Sequence, residues 1–304
     1  MSIPEETYEE NGRLYHRWQK GVYWLPHDED ELERLDVLHG LTYNLDKLAL
    51  PLHRSPLVPE PGQPVRILDL GCGTGFWAME MADRYTSAEV IGTDLINCQP
   101  AAIPANVSFR PHCNFNDRFW PFGEESFDLI HLGQITATSV NWREMYGNVK
   151  KYLRPRFGHI EQLDFDIAPH IAQGARFPPR SNIEAWWRDL VKASADGGRP
   201  IAYDERQVRA ELEIAGFQDI THEKIPIPWH YYRTPGENYQ IGGTFQVTMV
   251  QGVGFDAYCM APFSRVNQWT KEQITEYLTL LKREIFHTDL QIFSYFHLWT
   301  ARKP

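Results

Sequence analysis

Short apolar runs alternate with helically spaced segments through the middle of the chain. VRILDL (65–70), AEVIGTDL (88–95), NVSFRPH (106–112), SFDLIHL (126–132) and GHIEQLDF (158–165) are rich in β-branched or aromatic residues, and each predicts a strand. FWAMEMADRY (76–85) and WREMYGNVKKYLRP (142–155) place apolar residues at helical spacing, the second stopped by Pro155. This alternation predicts an α/β sandwich built on a mainly parallel sheet. Further on, SNIEAWWRDLVKAS (181–194) predicts a helix opened by Ser181, and DERQVRAELEIAG (204–216) one ended by Gly216. FQDITHEKIPIPW (217–229) and LQIFSYFHLWTARK (290–303) predict strands, the latter closing the chain. TKEQITEYLTLLKREIFHT (270–288) predicts a helix with Thr270 and Gln273 as a capping box.

Two stretches do not fit this alternation. Residues 1–64 predict a helical N-terminal extension. Its helix starts near LPHDEDELERL, with Asp28 as N-cap and Asp30 paired with Arg34 as surface support. The main domain is expected over 65–304, with an aromatic and glycine-rich insertion at about 229–269. That insertion suits a substrate cover; a structural or dimer-forming role competes with it.

DLGCGTG (69–75) ends the first predicted strand, so Gly71, Gly73 and Gly75 fall in the turn into a helix. Glycine permits positive φ and close approach of backbone, and amides at a helix start can face polar groups. The spacing is G-x-G-x-G rather than the dinucleotide G-x-G-x-x-G, and no Gly-Lys-Ser/Thr follows. Asp69 beside the turn disfavours a pyrophosphate and favours an ammonium or a sulfonium. Asp94, ending the second strand, can accept from both hydroxyls of a ribose; an ordinary loop aspartate or cap is the plain alternative. After the third strand, Asn114 can read an adenine edge between Cys113 and Phe115. A packed, satisfied histidine competes with a catalytic role for His131, and Gln134 follows it beside the cofactor or the acceptor. His159 and Glu161 share a strand face, where an ion pair is as good a reading as catalysis.

Charge and composition narrow the picture. The 304 residues carry a formal net charge of −10 and no long basic block, which argues against duplex nucleic acid as the main partner. Cys72, Cys98, Cys113 and Cys259 have no C-x-x-C spacing and read as reduced thiols, so an intracellular protein is expected. No stretch reaches the ~18 uninterrupted apolar residues of a membrane span. Neither a hydrolase elbow nor a metal-binding spacing is visible, and no metal site is expected from the sequence.

VRILDLGCGTGFWA, VIGTDL and WPFGEESFDLIHL together resemble the class I S-adenosylmethionine-dependent methyltransferases. The resemblance implies a Rossmann-like sheet of seven strands, mostly parallel, with the last antiparallel. It implies S-adenosyl-L-methionine as cofactor, S-adenosyl-L-homocysteine as product, and a small-molecule methyl acceptor. Asp69, Gly71, Cys72, Gly73 and Gly75 would hold the methionine moiety. Asp94 and Leu95 would hold the ribose, and Cys113, Asn114 and Phe115 the adenine. Asn114 departs from the aspartate common at that position. Gln134 and a lid residue, Tyr23, complete the expected set. Trp24, Trp186, Tyr231, Tyr232 and Phe245 are the expected acceptor-pocket residues, and His131 and Gln134 the only candidates for catalysis.

YHRWQKGVYWLPHDEDELERLDVLHG (15–40) and HLGQITATSVNWREMYGNVKKYLRPRFGHIEQLD are similar to the fungal LaeA-like methyltransferases. PRFGHIEQ departs from the Pro-Gly-Gly turn usual there. That family includes enzymes that tailor metabolites and regulators that bind velvet-type proteins. The expected function is therefore O- or N-methylation of a small aromatic or polyketide-like metabolite, with a LaeA-like regulator acting through protein partners as the alternative. The cytoplasm is the expected compartment, with the nucleus reached through a partner.

Overall fold

The computed structural model describes residues 6–43, 51–58, 62–136, 138, 141–172, 175–230 and 239–304. The chain opens with a hairpin, β1 (Thr7–Glu10) and β2 (Arg13–His16), which pair antiparallel. The sequence pattern did not indicate it. Gly12, with φ +77°, supplies the left-handed turn. Helix α1 (Glu29–Tyr43) follows, and Asp28 Oδ1 accepts from the Glu31 amide at its start, as expected.

Strand β3 (Arg66–Leu70) leads into α2 (Phe76–Arg84), then β4 (Glu89–Thr93), β5 (Val107–Arg110), β6 (Leu129–Gly133), α3 (Trp142–Tyr152) and β7 (His159–Ile171). After α4 (Asn182–Asp196) and α5 (Glu205–Ile214) come β8 (Gln218–Pro228), α6 (Tyr239–Phe245), α7 (Gly254–Arg265), α8 (Lys271–His287) and β9 (Ile292–Arg302). The caps inferred from sequence form. Ser181 Oγ accepts from the Glu184 amide, and Thr270 and Gln273 bond reciprocally.

Seven strands make one sheet in the order β5-β4-β3-β6-β7-β9-β8, mostly parallel with the last strand pair antiparallel. This is the Rossmann-like arrangement expected. Strand β3 lies between β4 and β6, with Asp69 opposite both Gly92 and His131. Ile67, Leu68 and Leu70 are completely buried, as continuous apolar runs in a parallel sheet should be.

The chain separates into two compact units. One holds residues 50–165, 204–224 and 297–304; the other holds 1–49, 166–203 and 225–296. The first contains the glycine turn. In the second, the segment expected to be a cover holds α6, a π turn at Gln246–Gln251, and α7. Helix α7 is buried along most of its length, and the described residues from 245 to 263 supply core. Among the described residues no helix is long and apolar enough to cross a membrane.

Candidate functional site

The turn after β3 is built by its backbone. The Gly71 and Cys72 amides both donate to the Thr93 carbonyl, at 2.8 and 2.9 Å, fastening the turn to the end of β4. Gly73 has φ +53° with no atom within 4 Å of where a Cβ would stand, so its outer side is open. Gly75 has φ +82° and answers a different demand: a Cβ there would lie 2.4 Å from the Phe109 ring. The first of these glycines leaves space beside the turn, whereas the last lets β5 pack beneath it.

Asp94 faces this turn from the end of β4. Its Oδ2 accepts from the Gly73 amide at 2.8 Å and its Oδ1 from the Leu95 amide at 2.7 Å. Burial pushes its carboxyl above the usual aspartate range, while the Gly73, Leu95 and Ile96 amides pull it down and Asp69 raises it. Asp94 keeps part of its surface in solvent, and an ionised carboxylate has about four acceptor sites, so the three amides do not exhaust it.

Gln134 follows β6 with φ +53°, a left-handed conformation uncommon for a residue with a side chain. Its amide donates to the Leu163 carbonyl at 2.7 Å. Its Oε1 is buried and accepts no hydrogen bond from the described residues. A left-handed backbone and a buried acceptor that meets no donor among the described residues coincide on this one residue.

The remaining expected residues divide by what they touch. Asp69 is 2% exposed and takes a 2.8 Å hydrogen bond with His131 Nδ1. The His131 ring stacks on Trp77 at 3.8 Å, so the packed reading of this histidine describes its position. Asn114 is buried, and its Oδ1 accepts from the Asn116 amide and side chain at 2.9 and 3.2 Å. The Phe115 ring approaches Gly71. Burial raises the Cys72 thiol well above its ordinary range and pushes Cys113 up to about 11, so both stay protonated at neutral pH. Glu161 accepts from the Arg54 and Ser55 amides, a structural role.

Tyr23 and Trp24 belong to the other unit. The Tyr23 ring lies 5.9 Å from that of His16, and Trp24 Nε1 donates to the Gly21 carbonyl at 3.0 Å. Trp186 and Phe245 are completely buried there. Both rings pack on Trp229, and Trp186 Nε1 donates to Cys259 Sγ at 3.1 Å. Tyr231 and Tyr232 lie outside the described residues.

Sequence reasoning missed Gln99. Its Nε2 donates to the Gly73 carbonyl at 2.6 Å, clamping the turn, and its Oε1 is a second buried acceptor that meets no donor among the described residues. No motif flags it, because it stands in an irregular loop after β4. It also missed the ionic character of α1: Arg34 pairs with Glu31 rather than Asp30, and both side chains are buried.

The atoms beside the turn fit the cofactor that the resemblance implies. The Asp94 carboxylate suits a ribose diol, and the Gln134 Oε1 suits an ammonium. The open side of Gly73 leaves room beside the turn.

A family described as a methyltransferase domain matches residues 41–222. The secondary metabolism regulator LAE1 of Cochliobolus heterostrophus is 36% identical over 307 residues, covering 100% of this chain and 98% of that protein. The protein-methionine methyltransferase laeA of Emericella nidulans is 34% identical over 299 residues, covering 98% of this chain and 77% of its own length. Among solved structures, Haemonchus contortus phosphoethanolamine N-methyltransferase 2, in complex with phosphomonomethylethanolamine and S-adenosylhomocysteine, aligns at a TM-score of 0.48. That alignment has 12% identity and covers 98% of this chain and 71% of that one.

Proposed function

The chain belongs to the methyltransferase-domain family, among full-length relatives of the LaeA-type regulators of secondary metabolism, and from that premise we propose that it is an S-adenosylmethionine-dependent methyltransferase acting on a protein in a regulatory role. The observation that carries the regulatory reading is the likeness to LAE1 over essentially the whole of both chains. It favours this alternative over methylation of a small aromatic metabolite. The aromatic residues expected to line a metabolite pocket add no support, because Trp186 and Phe245 are packed against Trp229.

Bound beside the glycine turn, the cofactor supplies a methyl group on a sulfonium. Asp94, already held by the Gly73, Leu95 and Ile96 amides, would accept from the ribose hydroxyls with the acceptor capacity that remains. Gln134 Oε1 accepts from the ammonium of the methionine moiety. Asp69 and His131 hydrogen-bond each other and are both buried. The catalytic effect is mainly positioning and exclusion of water. A thioether acceptor, the class named for the Emericella relative, carries no proton at sulfur and needs no general base. That suits a site whose histidine is engaged by Asp69 and whose nearby thiols are held protonated.

The test supplies methyl-labelled cofactor to the purified protein, with a fungal protein lysate in one arm and a small-molecule extract in the other. Label on protein, mapped by mass spectrometry to methionine, supports the proposal. Label confined to small molecules would restore the metabolite reading and overturn this one. An Asp94→Ala control should abolish either signal.

A further inference from the structure

Glu205, His222 and His297 come together in the unit that contains the glycine turn, and none of them belongs to the site around Gly73. We propose that these three side chains form a binding site for a first-row divalent cation of the zinc class, with His222 Nε2, His297 Nδ1 and a Glu205 carboxylate oxygen as ligands. These donor atoms all lie within 4.8 Å of one another.

The geometry supports a shared ion. His222 Nε2 and His297 Nδ1 share a hydrogen bond of 2.9 Å, with their ring planes 5° from parallel, and an ion would replace the shared proton. Two nitrogens each about 2.0–2.1 Å from a metal are separated by about 2.9 Å at a right-angle bite and about 3.4 Å at a tetrahedral one. Glu205 Oε2 lies 3.9 Å from His297 Nδ1 on a half-exposed side chain. A ring nitrogen, a second ring nitrogen and a carboxylate are the ligand types zinc accepts, with solvent completing the shell.

The two imidazoles are held before any ion arrives. His222 stacks on Trp299 at 3.9 Å with 9° between the planes, and His297 is nearly completely buried. Ligands fixed by their surroundings lose little freedom on binding. Two cations face the cluster: Lys224 Nζ sits 3.3 Å from Glu205 Oε2, and the Arg209 guanidinium lies over Trp299 at 5.4 Å. Lys224 now balances the Glu205 charge, and an incoming ion would displace it toward solvent; such exposed ion pairs are weak. The three ligands come from the first turn of α5, from β8 and from β9, so no spacing motif could disclose them.

Chelator-treated full-length protein should be titrated with zinc chloride by calorimetry and followed by thermal melting with and without zinc. One equivalent should bind at micromolar affinity or tighter and raise Tm. His222→Ala should weaken binding by at least about tenfold, by analogy with the losses seen when metal-site partners are removed. Glu205→Gln, at an exposed position, should weaken it less, and it keeps the test valid should the histidine variant fail to fold. Cobalt(II) should give d–d absorption without the thiolate charge-transfer band, separating this site from the four cysteines. Absence of zinc binding, or binding undiminished in both variants, or a thiolate spectrum, would overturn the proposal.

Discussion

Two buried polar regions, one in each unit, behave in opposite ways. Around Arg34 the groups close on each other. Its guanidinium donates to both Glu31 oxygens at 2.8 and 2.6 Å, with both side chains at most 1% exposed. Nearby in the same unit, Trp229 Nε1 donates to Ser294 Oγ, which donates onward to the Ala168 carbonyl. Around Gly73, capacity is left over. Asp94 accepts from backbone amides and keeps acceptor capacity to spare, and the Gln134 and Gln99 side-chain oxygens meet no donor among the described residues. Buried polar groups are ordinarily satisfied. A region whose hydrogen bonds cancel internally is architecture; a region with surplus acceptors can take donors from a ligand.

The largest expected effect tests the closed region. Glu31→Ala leaves the Arg34 charge buried without compensation, which costs about 3–5 kcal/mol. Urea denaturation should show a lowered midpoint. Replacing both partners, Glu31→Leu with Arg34→Met, should recover most of that loss, since a buried ion pair is often no better than apolar packing. A single variant that unfolds like the parent would mean that the pair is not sealed, and the contrast between the regions would fail.

The open region is tested by its ligand. Asp94→Ala removes two hydrogen bonds from ribose to a charged acceptor, each contributing about 1.5–3 kcal/mol. Calorimetric affinity for S-adenosylhomocysteine should fall by about a hundredfold or more. An affinity within threefold of the parent would remove Asp94 from the ribose.

Gln134 separates stability from binding more finely. Its φ of +53° places a side-chain-bearing residue where glycine is preferred, a strain of about 1 kcal/mol. Gln134→Gly should raise the melting temperature while weakening cofactor binding by about tenfold through loss of one acceptor. Opposite signs are the signature of a residue kept for its ligand. If both quantities fall, Gln134 is structural and the surplus acceptor has another cause.

The parts legible in the sequence are those governed by local rules. Three glycines after a β-branched run gave the turn, and Thr270 with Gln273 gave a cap that forms as written. The mainly parallel sheet followed from the alternation of runs, and its seven strands from the family resemblance. The segment from 239 to 265 was not legible, because periodicity fails where a helix is apolar on every side. GFDAYCMAPFSR buries eight of its twelve residues and carries Pro262 inside the helix. The hairpin at Thr7–His16 was hidden by charged residues on short strands. Gln99 and the Glu205–His222–His297 cluster were invisible for another reason: their meaning lies in partners distant along the chain. Asp69 was legible as important, but its partner was not, because only the register of β3 against β6 brings it opposite His131.

The smallest expected effect concerns pH and acts on the open region alone. Burial raises the Asp94 carboxyl above the ordinary aspartate value. The folded chain therefore holds this proton more tightly than the unfolded chain does. The stability it contributes is complete at acid pH, below the unfolded value, and is lost as pH rises through the folded one. Cofactor affinity runs the other way, because the ionised carboxylate is the form that accepts from both hydroxyls. Affinity should therefore decline on acidification, starting at a higher pH than an ordinary aspartate allows and approaching tenfold per pH unit only below the folded value. Asp94→Asn, which cannot ionise, should bind weakly at every pH and flatten the profile. A parent profile as flat as that of the variant would show that the proton on Asp94 does not govern the ribose contact.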